Sequence, residues 1–279
     1  MTYNEICSAL REAGIEEYRH EAALLLSHFC GVSRDKLLLC RDESFDSPEL
    51  ERALEERRQR RPLQYILGEW QFCSERYTVG EGCLIPRPET EELVLLAAAL
   101  LPKDSVFADL CAGSGCIAVS LLARRPDCRA VALDLSTDAL RFARKNAELN
   151  GVSDRIEFIN ADLLDPSTPT LLGVSRFSAI ISNPPYIPSR TVDELDPELF
   201  FEPRTALDGG EDGLTFYRAL TNDYHSCLTR DGFMLFEAGY NQEKSLSELA
   251  EKKGFSFEAL YDLSGHFRTA KFTPNWRSE

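Results

Sequence analysis

Apolar residues in the first part of the chain recur at the spacing of a helix. They lie at Ile6, Leu10, Leu24, Leu25 and Phe29. Recurrence every three to four residues places apolar side chains on one face of a helix. Ser47-Pro48 predicts the start of a further helix, because serine caps helices and proline is favoured at their first position. We therefore predict a small helical domain at residues 1–62.

The pattern changes to alternation after Pro62. The alternating apolar residues are Tyr65, Leu67, Trp70, Phe72, Tyr77 and Val79. A period of two is typical of strands, so we expect a hairpin linker at residues 63–85. The next segment, Pro86-Arg87-Pro88-Glu89-Thr90, predicts the start of another helix because proline is tolerated in the first turn.

Strand and helix patterns alternate through the remaining region, residues 86–279. The predicted strands are 106–109, 129–133, 156–159, 177–182, 232–237, 255–261 and 269–273. Helical patterns at 115–124 and 137–149 separate the first three strands. Alternation of this kind is typical of an α/β fold with a doubly wound parallel sheet.

The balance of charge argues against nucleic acid as a direct partner. Lys and Arg total 31 and Asp and Glu total 46, which gives a net charge of −15. Such a chain repels phosphate backbones at long range. The densest basic segment is Arg57-Arg58-Gln59-Arg60-Arg61. We interpret it as the solvated end of a helix, where cations suit the helix dipole, rather than as a nucleic-acid patch.

The nine cysteines lack the paired short spacings of zinc or disulfide frameworks. They are Cys7, Cys30, Cys40, Cys73, Cys83, Cys111, Cys116, Cys128 and Cys227. We interpret them as buried thiols in a reducing compartment and predict no metal site. We also interpret His20 and His28 as structural or surface residues. The amino-terminal residues lack the pattern of a signal or transit peptide, and the longest apolar stretch, Leu93–Leu101, is too short to span a bilayer. We therefore expect a cytoplasmic protein with no membrane partner.

A glycine-rich turn follows the first strand of the α/β region. Its candidate cofactor-binding residues are Asp109, Cys111, Ala112, Gly113, Ser114 and Gly115. Glycines let the backbone turn sharply and approach a ligand closely. Asp134, at the end of the second strand, can accept hydrogen bonds from both hydroxyls of a ribose. The combination predicts a site for a nucleoside cofactor.

Two details favour S-adenosylmethionine, although Gly113-x-Gly115-x-x-Ala118 also fits the dinucleotide fingerprint. S-adenosylmethionine has no phosphate groups, and Asp109 suits its ammonium and sulfonium charges. Asp162 and Leu163 end the third strand, where a carboxylate can accept a hydrogen bond from an adenine amino group beside an apolar wall. Asp162 suits a helix cap equally well.

The candidate acceptor loop is Asn183-Pro184-Pro185-Tyr186, directly after a predicted strand. In an open parallel sheet this point faces the ligand crevice, and the prolines hold Asn183 extended. The Asn183 and Pro184 carbonyls can accept both N–H bonds of a planar amino group, and Tyr186 can stack on that group. We predict Asn183, Pro184 and Tyr186 as catalytic, with Pro185 completing the substrate loop. No histidine or carboxylate adjoins this loop in sequence as a clear general base.

These motifs resemble those of the HemK/PrmC family of release-factor glutamine-N5 methyltransferases. The matching segments are DLCAGSG at 109–115, NPPY at 183–186, LQYILG at 63–68, IPRPETE at 85–91, and positions between Glu202 and Leu214. NPPY alone also occurs in methyltransferases of nucleic-acid amino groups. The combination covers nearly the whole catalytic region and the segment before it.

The resemblance implies a Rossmann-like class I methyltransferase sheet that binds S-adenosylmethionine. The substrate it implies is the Gly-Gly-Gln glutamine of class I peptide chain release factors, whose methylation modulates translation termination. Its cofactor positions fall at residues 111–115, Asp134 and Asn183. The chain departs from the family at Cys111 and Ala112, where glycine and threonine are frequent, and at Leu163, where many members have an aromatic residue. We expect a tighter turn and weaker adenine packing.

Three alternative functions differ from this one in chemistry. A methyltransferase acting on adenine-N6 or guanine-N2 of nucleic acid would need a basic surface, which the net charge does not suggest. A non-catalytic protein that binds release factors or ribosomes would not need Asp134 and Asn183. A dinucleotide oxidoreductase would have no use for Asn183-Pro184-Pro185-Tyr186.

Overall fold

A computed structural model describes residues 1–37, 42–172 and 177–276 of the protein. The chain divides into two compact units. The first contains Met1–Glu69 together with Asp196–Phe201, and the second contains Trp70–Leu195 together with Glu202–Glu279. The first unit therefore extends beyond residue 62, where the sequence placed the end of the helical domain, and it includes a short segment that follows the acceptor loop.

The first unit is helical and encloses an apolar core. Its helices are α1 Tyr3–Glu12, α2 Tyr18–Cys30, α3 Arg34–Leu37, α4 Pro48–Arg58 and α5 Leu63–Leu67. Ile6, Leu10 and Leu25 are fully buried in this core, as their spacing predicts. At the start of α4, Ser47 Oγ accepts a hydrogen bond from the Leu50 amide at 3.2 Å, which confirms the predicted cap.

Helix α5 corrects the strand prediction for residues 63–67. The Gly68 amide donates to Gln64 O at 2.9 Å, and Gly68 has a φ of 71°, a common way for a helix to end. Leu63 and Tyr65 are both buried. Apolar residues two positions apart in so short a segment do not distinguish helix from strand. The strands of the hairpin, β1 Glu69–Phe72 and β2 Glu75–Thr78, begin directly afterwards.

The basic segment lies at the end of α4, as predicted, but only part of it is solvated. Arg57 is only 5% exposed and pairs with Glu21 at 2.6 Å and Glu198 at 3.1 Å. Arg60 also pairs with Glu198, at 2.8 Å. Arg58, the residue after Arg57, pairs with Glu55, and its side chain is half exposed. Glu198 thereby ties the segment 196–201 to helix α4. Together the acidic partners neutralise much of the positive charge of the basic segment.

The second unit contains a seven-stranded sheet in the order β5-β4-β3-β6-β7-β9-β8. Its strands are β3 Val106–Leu110, β4 Arg129–Asp134, β5 Ile156–Asn160, β6 Phe177–Ser182, β7 Leu228–Glu237, β8 Phe255–Tyr261 and β9 Phe267–Pro274. Its helices are α6 Pro88–Leu100, α7 Cys116–Arg124, α8 Thr137–Leu149, α9 Ser189–Val192, α10 Thr215–Asp223 and α11 Glu243–Lys253.

The sheet is mostly parallel, which confirms the predicted α/β class, but one strand, β9, runs in the opposite direction. Strands β3 to β7 pair in parallel, whereas β9 runs antiparallel to both β7 and β8. The Asp262 amide donates to His266 O at 2.8 Å in the tight turn between β8 and β9. A turn this short joins antiparallel strands, because a parallel pair needs a long crossover.

Buried side chains cover both faces of the sheet, as expected for a doubly wound fold. Ala108 shares one apolar cluster with Leu220 of α10 and Leu246 of α11. Phe107 is also fully buried. Because successive strand residues point to opposite faces, Phe107 lies on the other side of the sheet. Parallel sheets with both faces covered are typical of this fold class.

The cysteines are free thiols wherever the structure describes them. Cys7, Cys83, Cys128 and Cys227 are buried, and Cys30, Cys73, Cys111 and Cys116 are half-buried. Cys40 lies outside the described residues. Burial raises the pKa of the Cys83 and Cys111 thiols well above the ordinary value. Within the described ranges, we find no cluster of His, Cys, Asp and Glu suited to a metal ion, and no helix with the length and apolar character to cross a membrane.

Candidate active site

The predicted site residues converge at one edge of the sheet. Strands β3, β4, β5 and β6 are neighbours and run in parallel, so their carboxyl ends lie at the same edge. Asp134 pairs in register with Asn160, and Asp109 pairs with Ile181. The hydroxyl of Ser182 donates to Leu110 O, which fixes the end of β6 against the end of β3. The loops after these four strands therefore emerge side by side.

A cavity of about 440 Å³ lies at this edge of the sheet. The predicted residues in its wall are Cys111, Gly113, Asp134, Asp162, Leu163, Asn183 and Pro185. The sequence analysis missed much of the remaining wall, which includes Gly82, Leu84, Ser136, Pro203, Arg204, Asp208 and Phe216. One cavity thus brings residues of the glycine-rich turn together with Asn183 of the acceptor loop.

The glycine-rich turn has the left-handed backbone that its composition predicts. Gly113 and Gly115 have φ values of 55° and 77°. A Cβ at Gly115 would lie 3.1 Å from the Cβ of Ala143 in α8, so glycine also permits close packing of α7 on α8. Cys111 has a φ of 65°, a conformation that costs a non-glycine residue about 1–2 kcal/mol. The turn accommodates this side chain in the cavity wall.

Asp134 holds the turn with both of its carboxylate oxygens. Oδ2 accepts from the Gly113 amide and Oδ1 from the Ser136 amide, each at 2.8 Å. Burial raises the pKa of Asp134 above its ordinary value, and these two backbone hydrogen bonds oppose the increase. Each oxygen has a second acceptor site. The residue can therefore accept hydrogen bonds from a ligand while it supports the turn.

Four predicted cofactor residues do not reach the cavity wall. Asp109, Ala112, Ser114 and Gly115 are all buried, and none of them lines the cavity. The Ala118 amide donates to Asp109 Oδ2 at 3.0 Å, so this carboxyl joins the end of β3 to helix α7. Asp109 Oδ1 has no hydrogen-bond partner among the described residues. Burial raises the pKa of Asp109 to about 7. In this structure Asp109 does not contact the cavity directly.

Asp162 and Leu163 both line the cavity, and each also has a structural role. Asp162 Oδ1 accepts from the Leu164 amide at 2.8 Å, which caps a turn rather than a helix, because the next helical residues begin at Thr168. Asp162 is nevertheless exposed, so it remains accessible to a ligand. Leu163 is only 3% exposed, and Tyr224 donates to its carbonyl at 3.0 Å. Leu163 therefore gives the cavity a firmly packed apolar wall.

The acceptor loop contributes Asn183 and Pro185 to the cavity wall. Asn183 Nδ2 donates to Thr90 Oγ1 of α6 at 3.1 Å. Pro184 is buried, and neither it nor Tyr186 belongs to the described cavity wall. The Tyr186 ring is half-buried, with its hydroxyl 3.5 Å from Glu237 Oε1. Of the three predicted catalytic residues, the structure places Asn183 directly at the cavity.

Glu237 is a buried carboxyl beside the acceptor loop that the sequence analysis missed. It ends β7 and is only 3% exposed. Thr90 Oγ1 donates to its Oε2 at 2.5 Å, in addition to the contact with Tyr186. Burial is the main reason that the pKa of Glu237 is raised to about 7. It lies far from the loop in sequence, and no local motif marked it.

Backbone hydrogen bonds support the acceptor loop from a second segment, residues 207–213. The Ile187 amide donates to Leu207 O at 3.0 Å, and the Gly209 amide donates to Ile187 O at 2.8 Å. Gln242 Nε2 donates to the carbonyls of Tyr186 and Gly213, both at 3.1 Å. This segment lies between Glu202 and Leu214, a region noted in the sequence, and contains Gly209 and Gly210. Its glycines allow the two backbones to approach each other.

The same supporting region is fixed by a buried acidic residue, Glu202. Glu202 Oε2 accepts from the Ile85 amide at 2.9 Å, and its other oxygen binds Arg87. Five of the residues that follow Glu202 line the cavity: Pro203, Arg204, Thr205, Ala206 and Asp208. The segments around Pro86 and Glu202 are therefore in direct contact. In the sequence analysis they were connected only because both match the same family.

Comparisons with known proteins agree with this architecture. Residues 2–68 match the PrmC N-terminal domain and residues 93–228 match the Methyltransferase small domain. Release factor glutamine methyltransferase of Geobacter sulfurreducens is 38% identical over 88% of this chain and 86% of its own. The Chlorobaculum tepidum enzyme of the same name is 41% identical, covering 81% and 80%.

A solved structure supports the fold independently. The catalytic domain of hMettl16, crystallised with an RNA hairpin, superposes with a TM-score of 0.56 at 15% identity, over 72% of this chain and 77% of its own. At this identity the likeness concerns the fold alone. The identity to the two bacterial enzymes extends over most of each chain. The protein belongs to the release factor glutamine methyltransferase family.

Proposed function

We propose that the protein transfers a methyl group from S-adenosylmethionine to the side-chain N5 of a glutamine in peptide chain release factors. The glutamine is that of the Gly-Gly-Gln motif in class I release factors. The observation that carries this proposal is a single cavity lined by both Asp134 and Asn183. A cofactor held at Asp134 and an amide held at Asn183 would share one cavity. Membership of the family supports the same activity.

The cavity fits a nucleoside cofactor that has no phosphate groups. Its wall contains Asp134, Asp162 and Asp208. Arg204 is the one cation among the described wall residues, and it pairs with Asp193 and Asp208. Free cations for a pyrophosphate are therefore not found in this wall, which disfavours a dinucleotide. Asp134 would accept the ribose hydroxyls, and Asp162 and Leu163 would bind the adenine.

The glycine-rich turn completes the cofactor site. Gly113 has no neighbouring atom within 4 Å of the position that a Cβ would occupy, so the turn is open on that side. Residues 111–115 would approach the cofactor through their backbone. Asp109 fixes helix α7, which follows the turn, through the Ala118 amide. S-adenosylmethionine supplies a methyl group made electrophilic by its sulfonium.

The acceptor loop would orient the substrate amide for attack. The Asn183 and Pro184 carbonyls accept its two N–H bonds, and the ring of Tyr186 covers its flat face. These hydrogen bonds orient the nitrogen towards the methyl carbon. Orientation of this kind lowers the activation barrier by about 7–11 kcal/mol in well-aligned cases. The same acceptors stabilise the N–H groups as the nitrogen becomes positive. The proton then leaves to water.

The first unit would recognise the protein substrate. The predicted cofactor residues and the acceptor loop all lie in the second unit, so the helical unit is not required for those contacts. We assign class I release factors as partners and the cytoplasm as the compartment, with no role for a membrane or for direct nucleic-acid binding. Arg57 and Arg60 at the end of α4 are paired with glutamates. Because their charges are already neutralised, they favour a protein partner over a phosphate backbone.

The test is transfer of a labelled methyl group. The protein is incubated with methyl-labelled S-adenosylmethionine and one acceptor: release factor, release factor with the Gly-Gly-Gln glutamine replaced by alanine, DNA or RNA. We expect label in the unaltered release factor only. Label in DNA or RNA would establish a nucleic-acid methyltransferase instead. Equal labelling of the two release factors would refute the assigned glutamine.

A further inference from the structure

A buried hydrogen-bonded chain connects Asn183 to Glu237 through Thr90. Asn183 Nδ2 donates to Thr90 Oγ1 at 3.1 Å, and Thr90 Oγ1 donates to Glu237 Oε2 at 2.5 Å. Thr90 is 1% exposed and Glu237 is 3% exposed, so water does not compete readily for these bonds. The chain joins three separate elements: the first turn of α6, the end of β7 and the loop after β6.

The carboxylate at one end gives this chain a direction. An ionised carboxylate only accepts hydrogen bonds, so the Thr90 hydroxyl proton points to Glu237. The hydroxyl then offers Asn183 only its lone pairs. Asn183 must therefore present its NH2 group to Thr90, and its carbonyl oxygen faces away from Thr90. Since Asn183 lines the cavity, that oxygen is available to an acceptor amide.

We propose that Thr90 and Glu237 are positioning residues that fix the carboxamide of Asn183 with Oδ1 available to the substrate nitrogen. The inference rests on the proposed function of Asn183. An asparagine side chain presents an acceptor or a donor, depending on a 180° rotation about its last bond. The hydrogen bonds from Asn183 to Thr90 and from Thr90 to Glu237 select the orientation in which Asn183 Oδ1 is the acceptor that faces the substrate. A substrate amide can therefore donate an N–H bond to Asn183 Oδ1. A carboxylate has no N–H group to donate and binds poorly at this position.

The same carboxylate restrains the other end of the acceptor loop. Tyr186 donates to Glu237 Oε1 at 3.5 Å, and Tyr217 of α10 donates to the backbone carbonyl of Glu237 at 2.8 Å. Glu237 thus contacts the last residue of the loop directly and the first residue through Thr90. A single buried group sets the orientation of Asn183 and the position of Tyr186, which preorganises the loop before substrate binds.

The main test replaces the Thr90 hydroxyl without changing the shape of the side chain. In Thr90→Val the link to Glu237 is lost and the carboxamide of Asn183 can rotate. We expect single-turnover methylation of release factor at saturating cofactor to fall about 10²-fold, the scale of a misplaced contact in an active site, while the cofactor Kd is unchanged. Thr90→Ser keeps the hydroxyl and is the matched control. It should retain most of the wild-type rate.

A release factor carrying Gly-Gly-Glu tests the orientation itself. With the carboxamide fixed, this variant should inhibit the wild-type enzyme weakly, because Asn183 offers its carboxylate no donor. In Thr90→Val the Asn183 NH2 group can turn towards it, so we expect its Ki to decrease relative to the KM for the glutamine form. A purely structural role of Thr90 would weaken both release factors together.

The pH profile gives a third readout. The charged and titratable groups acting on Glu237 from neighbouring elements are Arg87, Glu89, Cys116, Tyr186, Tyr217 and Arg268. Burial raises the pKa of Glu237 to about 7. A protonated carboxyl can donate to Thr90 and reverse the chain. The single-turnover rate should therefore fall as the pH decreases below about 7. Glu237→Gln, which does not titrate, should lower the rate at pH 8 and remove this transition.

The variants separate the two proposals. Asn183→Ala should lower the rate by about 10²- to 10³-fold, as for loss of one preorganised contact. If Asn183→Ala is slow but Thr90→Val keeps the wild-type rate, the positioning role is wrong and the proposed function stands. Near-normal turnover of Asn183→Ala would remove the proposed function of that residue. A low rate in Thr90→Ser, or an unchanged ratio of the Gly-Gly-Glu Ki to the glutamine KM in Thr90→Val, would also overturn the positioning role.

Discussion

Gly209 packs against the backbone of Tyr186 so closely that a Cβ at Gly209 would lie 2.7 Å from the Tyr186 Cα. The same Cβ would lie 2.7 Å from the carbonyl oxygen of Pro185. Backbone atoms cannot move aside as a side chain can. The shape of the acceptor loop therefore depends on glycine at a position outside the loop.

Gly209→Ala should displace the acceptor loop. We expect kcat to fall about 10²-fold, because a displacement near 1 Å in an active site has effects of this size. The matched control is Gly80→Ala, whose Cβ would meet only the ring tip of Phe142 at 2.8 Å, which can turn away. Steady-state kinetics on release factor measures both variants. A normal kcat for Gly209→Ala would show that the loop tolerates the displacement.

Asp134→Ala should weaken the binding of S-adenosylmethionine. The ribose hydroxyls lose a charged acceptor, which costs about 1.5–3 kcal/mol, or roughly 10- to 150-fold in Kd. The glycine-rich turn also loses the bond from Gly113. Asp134→Asn keeps one acceptor oxygen and should have an intermediate Kd. Calorimetric titration measures the affinity, with circular dichroism as a check on folding. An unchanged Kd in a folded Asp134→Ala protein would remove Asp134 from the cofactor site.

Neighbouring arginines of α4 should differ greatly in their effect on stability. Arg57→Ala leaves the partly buried carboxylates of Glu21 and Glu198 without their partner, and loss of one member of a buried pair costs about 3–5 kcal/mol. Arg58→Ala removes an exposed pair with Glu55 and should cost less than about 1 kcal/mol. Hydrogen exchange of amides in α2 and α4 measures the stability of this unit. Equal effects of the two variants would contradict the burial argument.

The buried carboxyl of Asp109 should make stability depend on pH. Its pKa is about 7 in the folded protein against an ordinary value of 3.8. A raised pKa gives a stabilising contribution that is complete below 3.8 and is lost as the pH rises through about 7. Between these values the free energy of unfolding should decrease with a slope approaching about 1.4 kcal/mol per pH unit from this group.

Asp109→Asn tests that slope, since asparagine can still accept from the Ala118 amide and does not ionise. Urea unfolding from pH 5 to pH 8 should show a shallower decrease for the variant. Asp165→Asn is the control, because hydrogen bonds from Ser167 lower the pKa of Asp165, and its titration lies below this range. If Asp109→Asn has the wild-type slope, the carboxyl of Asp109 does not titrate there.

An exposed aromatic residue of the first unit should affect the protein substrate selectively. Phe200 is 59% exposed in the segment Asp196–Phe201, and aromatic residues are enriched in protein interfaces. Phe200→Ser should raise the KM for release factor about tenfold, the effect of losing one to two kcal/mol at an interface. The KM for cofactor should stay constant. Leu95→Ser, at a site 55% exposed on α6, should change neither value.

Local pattern predicted most elements, because the periods of helices and strands depend on neighbouring residues. The cap at Ser47, the helix α8 and the strand β6 all occur where the sequence placed them. Segment 63–67 was predicted wrongly, since a short apolar segment satisfies both periods. The antiparallel direction of β9 was also missed, because direction depends on pairing between strands distant along the chain.

The sequence by itself determined the chemistry of the site: a glycine-rich turn after a strand, an acidic residue at the end of the next strand, and Asn183 before two prolines. These features depend on residue type and local backbone. Only the tertiary structure decided which groups surround them. It joined Asp109 to helix α7 rather than placing it in the cavity wall, buried Arg57 between two acids, and brought Glu237 to Thr90. Such contacts join residues far apart in sequence, and burial, which sets their charge state and strength, exists only once the chain has folded.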